Sequence, residues 1–335
     1  MTVDLAFPDA PSIPGLAFRT FRGPEDYPGM LEVYQAAHEA DGLDDVTSLE
    51  DLQRNYSTLV NCDPTRDLVI AEVDGRPVAY ARVYWQDLVD GARSYELFGF
   101  VHPDWRRRGI GGAMLRHNER RLREIAAGHP DIAVKWFGSE GADTNEGNIA
   151  LLRRAGYEPA RYWYDMVAPT LEPIAESPMP EGLEIRPVTR DQYDPIWDAS
   201  AEAFRDHWGM AEWAEEDRIR FMTHPENADP VFWRVGWDGD AIAGVIVTTV
   251  PIEENEAHAR ARVYVASVSV RRPWRRRGLA RALLTSSLLA AREAGYTSAS
   301  LGVDTDSPTG ATELYRSLGF EPERTFTTWR KPLEG

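Results

Sequence analysis

One cysteine, Cys62, stands in 335 residues. A lone thiol excludes an intramolecular disulfide and a zinc site built from several cysteines. No motif surrounds it that would activate it, so it reads as an inert thiol in a reducing, cytoplasmic setting. Long apolar runs are also missing: no uninterrupted stretch reaches the roughly 18 residues of a membrane helix. The start, MTVDLAFPDAPSIPG, lacks a basic region followed by an apolar run and does not read as a signal peptide. Positive charge is scarce, with 37 Lys and Arg against 54 Asp and Glu, a formal net charge of -17. Such a field repels polyanions, which excludes general affinity for nucleic acid or an anionic membrane, and it suits a cationic small substrate. No Gly-Lys-Ser/Thr occurs, so there is no Walker loop, and no full Gly-x-Gly-x-x-Gly marks a dinucleotide site.

What the sequence does contain is a repeat. GLAFRTFRGPEDY from Gly15 is matched by GLEIRPVTRDQY from Gly182, an offset of 167. Asp74-Gly75 matches Asp238-Gly239 at 164, Gly109 matches Gly278 at 169, and GYEPAR from Gly156 matches GFEPER from Gly319 at 163. Four landmarks in one order, with offsets drifting by a few residues, mean a duplication with small loop changes. Between the halves lies the proline-rich APTLEPIAESPMPEG, which reads as a linker. The division is then residues 1–168, a linker at 169–182, and residues 183–335. Each half reads as strand, helix, Asp-Gly hairpin, long strand, basic loop, helix, strand, short helix and closing strand. That order predicts a mixed-sheet α/β (α+β) unit used twice.

In both halves the long strand runs into an arginine-rich, glycine-containing loop that turns at once into a helix: FVHPDWRRRGIGGAML and SVSVRRPWRRRGLARALL. Uncapped N–H groups at a helix start, backed by the helix dipole, form an anion site that suits pyrophosphate. Gly109, Gly111 and Gly112 let the backbone approach; Gly278 and the small Ala280 do so in the second copy. The arginines place charge at the rim. A solvated basic face is the plainer reading, and the repeat with its strand-before, helix-after setting favours the anion site.

RRRGIG (Arg106 to Gly111) and RRRGLA (Arg275 to Ala280) resemble the Gln/Arg-x-x-Gly-x-Gly/Ala signature of the GNAT superfamily of N-acetyltransferases, and Val101 and Val270 stand five residues ahead of the first matching arginine, as in that family's fourth strand. The resemblance runs through both halves and is similar to the tandem GNAT architecture typified by mycothiol synthase. It implies two acyl-CoA N-acyltransferase folds and binding of acetyl-CoA. The pyrophosphate would lie on Arg106, Arg107, Arg108, Gly109, Ile110, Gly111 and Gly112, and on Arg275, Arg276, Arg277, Gly278, Leu279, Ala280 and Arg281. The pantetheine arm would pair with strand ends at Val101 and at Val268, Ser269 and Val270. No metal is implied.

The family's usual acid is a tyrosine four residues before the glycine that closes the last short helix. LYRSLGF supplies Tyr315, whereas the first half has Leu152, so the second half is expected to be catalytic and the first to lack the acid. Many relatives carry a glutamate base six residues before Val101 or Val270, where this sequence has Tyr95 and Tyr264. Glu96 is one residue along, and alternation turns it to the other face unless a bulge intervenes. The base is therefore open between waters ordered by Tyr264, since a phenol is a poor direct base, and an acid outside the strand, with Asp206 in FRDHWG the first candidate. The expected reaction is direct acetyl transfer to a primary amine of a small, cationic substrate by a monomer or homodimer. The alternatives are mycothiol synthase itself, which the missing glutamate weighs against, and an inactive CoA-binding regulatory module.

Overall fold

A computed structural model describes residues 5, 7–130, 132–307 and 310–334. In chain order the elements are β1 (Leu16–Thr20), α1 (Tyr27–Ala40), α2 (Leu49–Ser57), α3 (Pro64–Asp67), β2 (Leu68–Val73), β3 (Arg76–Asp87), β4 (Arg93–Val101), α4 (Ile110–Ala127), β5 (Lys135–Ala142), α5 (Glu146–Arg154) and β6 (Glu158–Ala168). The second copy follows with β7 (Glu184–Arg186), α6 (Tyr193–Phe204), α7 (Glu215–Thr223), β8 (Arg234–Asp238), β9 (Ala241–Thr249), α8 (Ile252–Ala257), β10 (Arg262–Val270), α9 (Leu279–Glu293), β11 (Ser298–Asp304), α10 (Ala311–Arg316) and β12 (Glu321–Pro332).

The chain packs as two compact units. Unit 1 comprises the residues up to Arg161 together with those from Phe326 onward, and unit 2 comprises Tyr162–Thr325. Strand order in unit 1 is β1-β2-β3-β4-β5-β12 and in unit 2 it is β6-β11-β10-β9-β8-β7. In each, one neighbouring pair is parallel, β4 with β5 and β10 with β11, so the sheets are mixed. The repeat read along the sequence divides at 169–182, whereas packing exchanges the last strands. Phe326 to Pro332 pair with β5 in unit 1, and Trp163 to Ala168 pair with β11 in unit 2. Trp329 and Met166, both buried, tie each exchanged strand into its host core.

Each unit has three layers. In unit 1, α4 covers one face through Ile110, Ala113 and Met114 against Ala79 and Ala81, and α1 covers the other through Met30 and Val33 against Ile70 and Tyr80. In unit 2, α9 packs Leu279, Leu283 and Leu288 on Ala243, Val263 and Leu301, while α6 packs Ile196 and Ala199 on Val235 and Val245. Because helices cover both faces, β2 and most of β9 are buried along their length rather than on alternate residues. At the first hairpin Asp74 (φ 51°) and Gly75 (φ 81°) are both left-handed, as a tight two-residue turn requires. Residues 169–182 form neither helix nor strand. They pack on unit 2 all the same, with Leu171 buried in its core and the Ser177 N–H donating to Thr285 Oγ1 at 3.3 Å. Thr309, expected to begin the helix that carries Tyr315, lies outside the described residues.

Candidate active site

The two basic loops have the same backbone. Arg107 (φ 61°) and Gly109 (φ 91°) are left-handed, and so are Arg276 (φ 60°) and Gly278 (φ 89°). Alternating left- and right-handed residues turn successive N–H groups to one side and make an anion-binding concavity. Gly109 and Gly278 are the N-caps of α4 and α9, and no side chain caps either helix, so the first-turn N–H groups stay available. Ile110 and Leu279, each 1% exposed, anchor the helix starts. A side chain at Gly278 would meet nothing within 4 Å, and at Gly109 it would come within 3.2 Å of Pro11. Both cradles thus fit a pyrophosphate, and the second is the more open.

The arginines divide into two groups. Arg106 does not face the cradle: its Nε donates to the Val101 carbonyl (3.2 Å), and its Nη atoms donate to the Asp41 carboxylate (2.6 and 2.9 Å) and the Ala37 carbonyl (3.3 Å). Arg275 repeats this, donating to the carbonyls of Val270 (2.8 Å) and Ala203 (3.0 Å) and to Asp206 (2.6 Å). Each clamps the end of the first helix to the end of the long strand. Arg277 donates to the Glu181 carbonyl, Arg281 to Ser317 Oγ, and Arg108 lies over the Trp105 ring. Arg107 and Arg276 are exposed on the loops and make no ion pair or hydrogen bond among the described residues. They are the side chains best placed for phosphate oxygens.

This arrangement corrects the reading of Asp206. Its carboxylate accepts from both Arg272 and Arg275, which hold it well below the usual carboxylate range. Asp41 has the same place in unit 1. A carboxylate fixed this way is a loop clamp, and it is no base.

The strands open where the reaction would sit. β10 and β11 pair only through Arg262–Tyr264 with Ser298–Ser300, and β4 and β5 only through Arg93–Glu96 with Lys135–Gly138. Beyond these points the ends at Val101 and at Val268, Ser269 and Val270 pair on one side alone. Such an edge accepts an extended chain as an added strand. The Ser269 side chain turns inward to Ser200 Oγ at 3.3 Å, so only its backbone is available to a ligand.

The two forks differ by one residue. β10 carries a bulge between Val265 and Ser267, whereas β4 runs in unbroken register from Arg93 to Val101. Tyr264 stands opposite Thr249, and it is Glu96, opposite Tyr84, that has the matching place in unit 1. Counting back equally from the two valines misplaced this residue by one, because the bulge is confined to the second copy. Tyr95 lies on the other face, 1% exposed, with its hydroxyl 3.0 Å from His129 Nδ1. Burial, then the charge of Glu140, push the Glu96 carboxyl up to about 7, and the charge of Arg330 works against them.

At the fork of unit 2, Tyr264 is 39% exposed, and its hydroxyl is 3.8 Å from where a side chain on Gly302 would begin. Asp165 pairs with Gly302 from β6, on the face opposite the buried Met166. Nothing in the sequence flags Asp165, since its strand is written in one half and folded into the other. Asp304 is buried, and its charge partly offsets the burial that lowers the pKa of His207. Trp163 and Trp208 have ring centroids 6.5 Å apart. Tyr315, on α10, is 5% exposed in the core, with burial raising its pKa so that it keeps its proton. Leu152 on α5 is its counterpart and is 1% exposed. No cluster of three potential metal ligands occurs among the described residues, and no described helix is long and apolar enough to cross a membrane.

Comparison with known proteins agrees with this geometry. The family model described as acetyltransferase (GNAT) family matches residues 29–157 and again 193–320. The chain is 29% identical to a mycothiol acetyltransferase of Salinispora arenicola over 89% of this chain and 90% of that one. It is 30% identical to one of Clavibacter michiganensis over 97% and 99%. Among solved structures it is similar to a GCN5-related N-acetyltransferase from Sphaerobacter thermophilus (TM-score 0.71, 26% identity, 96% of both chains). In fold it is also like a tandem GNAT protein from the clavulanic acid biosynthesis pathway (TM-score 0.67, 17% identity, 96% of this chain and 99% of that one). The reading as an inactive CoA-binding module gives way to these matches. Two uncapped cradles, two forked sheets and a family match in each half lead to one conclusion: the chain belongs to the GNAT family and is an acetyl-CoA-dependent N-acetyltransferase.

Proposed function

We propose that unit 2 carries out the transfer and that its acceptor is the primary amine of a small cationic molecule. The observation that supports this most is Tyr315, a buried, protonated phenol, where unit 1 has Leu152. Acetyl-CoA supplies the acetyl group as a thioester. The backbone from Arg276 to Arg281 holds its pyrophosphate, the open edge of Val268 to Val270 receives the pantetheine arm, and unit 1 offers the same at Arg107 to Gly112 and Val101. Tyr315 holds a proton at Oη for the thiolate that transfer releases. On the acceptor side, Asp165 attracts an ammonium group, and the Tyr264 hydroxyl orients the amine or the water that takes its proton. The rings of Trp163 and Trp208 suit the alkyl part or the cation itself. The overall charge of -17 draws such a substrate in. Burial pushes the Cys62 thiol up to about 11, so it stays protonated and suits a reducing cytoplasm.

Steady-state kinetics on Tyr315→Phe tests this reading. The expected result is kcat lower by about 10²–10⁴ with KM for acetyl-CoA unchanged; an unaltered kcat removes Tyr315 from the reaction. A second reading is that the acceptor is the deacetylated precursor of mycothiol, since relatives that match nearly end to end are named mycothiol acetyltransferases. An amine panel containing that precursor separates the two by kcat/KM.

A further inference from the structure

Unit 1 holds a cluster of charges that the proposed reaction in unit 2 does not use. Tyr84 stands opposite Glu96, and Arg82 stands opposite Phe98. All four share one face of the sheet, because Val83 and Leu97 between them are buried beneath α4. Phe98 packs against the core under α1 and α2 on that same face. The Arg82 guanidinium lies over the rings of Phe98 (4.8 Å), Tyr56 (5.2 Å) and Tyr84 (5.3 Å), beside the Cys62 thiol. No carboxylate pairs with it among the described residues, and its Nε is buried with no hydrogen-bond partner. Aromatic faces offset only part of what desolvating a cation costs. The missing counter-charge is the first sign of a ligand.

The second sign is acidic. Glu96 is the last residue of β4 paired with β5, and its carboxylate lies over Gly138, where any side chain would collide with it. Glu140, two residues along β5 and so on the same face, is accessible to water, and the surrounding protein raises its pKa. Its hydroxyl neighbour is Thr328 at 3.4 Å. Arg330, opposite Gly138, acts on Glu96 from β12. An amine alone would leave Arg82 without an anion, and a carboxylate alone would leave the two acids facing each other.

We propose that unit 1 binds a small amino-carboxylate, with its ammonium between Glu96 and Glu140 and its carboxylate on Arg82. Arg82 and Glu96 are diagonal neighbours on one face of the sheet, with Cα atoms about 7–8 Å apart, so a short ω-amino acid is the simplest probe that carries both charges. The site is separate from the proposed transfer centre of unit 2, and Tyr315→Phe leaves it unchanged.

Calorimetry on the full-length protein with δ-aminovalerate tests this, with amylamine and valerate as probes that each carry one of the charges. The expected result is that δ-aminovalerate binds at least about tenfold tighter than either control. Arg82→Gln and Glu96→Gln each weaken it by about tenfold or more, and Asp165→Asn, in unit 2, leaves it unchanged. Three results overturn the proposal: no binding at millimolar δ-aminovalerate, equal binding of a single-charge control, or loss in Asp165→Asn with retention in Glu96→Gln. Circular dichroism and melting verify each variant. Should Arg82→Gln not fold, Glu96→Gln and Glu140→Gln decide by the same criteria.

Discussion

Asp206 turns both carboxylate oxygens to arginines, Arg272 and Arg275, and is left without basicity near neutral pH. Asp206→Asn is therefore expected to raise KM for acetyl-CoA several-fold by loosening the loop while leaving the pH profile of kcat unchanged; loss of a limb from that profile would restore Asp206 as a base. Glu96 is the opposite case. Its pKa is about 7 in the folded protein against 4.5 ordinarily, so across that window the folded state binds more protons than the unfolded chain. Its contribution to stability falls as pH rises through the window and is lowest above it. Glu96→Gln removes that slope, so the variant should gain Tm relative to the parent by a few degrees between the two values, and a flat difference would mean a hydrated carboxylate. The glycines at the helix starts were legible from the strand-loop-helix order, and the place of Tyr315 on α10 from the family pattern that its segment resembles. Asp206 was not, because a sequence does not show which arginine reaches which acid.

At the scale of elements, the loop between strand and helix does its work through backbone conformation. A valine at position 278 would place a β-branched residue at φ 89°, a strain of about 1–2 kcal/mol. Gly278→Val should also weaken acetyl-CoA binding to unit 2 by crowding the N–H groups. Gly109→Val makes the same test of unit 1, and calorimetric stoichiometry read on each variant says how many cradles are used. The long strands, the helices after the loops and α1 and α6 were readable from apolar period and glycine punctuation. The short α2, α3, α7 and α8 were not, because nine residues or fewer span too few turns to set a helical period apart from a loop. The bulge in β10 escaped for another reason. One inserted residue within RVYVASVSV leaves the strand apolar and β-branched, and it changes only which side chain reaches the fork.

For the molecule as a whole, the exchange of last strands decides what can be removed. Truncation after Thr325 would take from unit 1 the strand that pairs with β5, including Trp329 (2% exposed) and Leu333 (7%). Loss of a buried tryptophan alone costs about 3–5 kcal/mol. The expected outcome is loss of the unit 1 transition in a thermal melt while unit 2 still melts cooperatively; an unchanged two-unit melt would show that β12 is dispensable. Duplication was plain in the sequence, since four landmarks kept their order. Exchange was not, because a closing strand reads the same whichever sheet receives it.

That exchange also sets an order of events during synthesis. Unit 2 has all its residues once Thr325 has left the ribosome, although it begins after residue 161. Unit 1, translated first, waits with the edge of β5 open until Pro332 emerges. An unpaired edge is a template for stray strands. The half made first is thus the half finished last, and the interval of vulnerability is the time needed to translate the other.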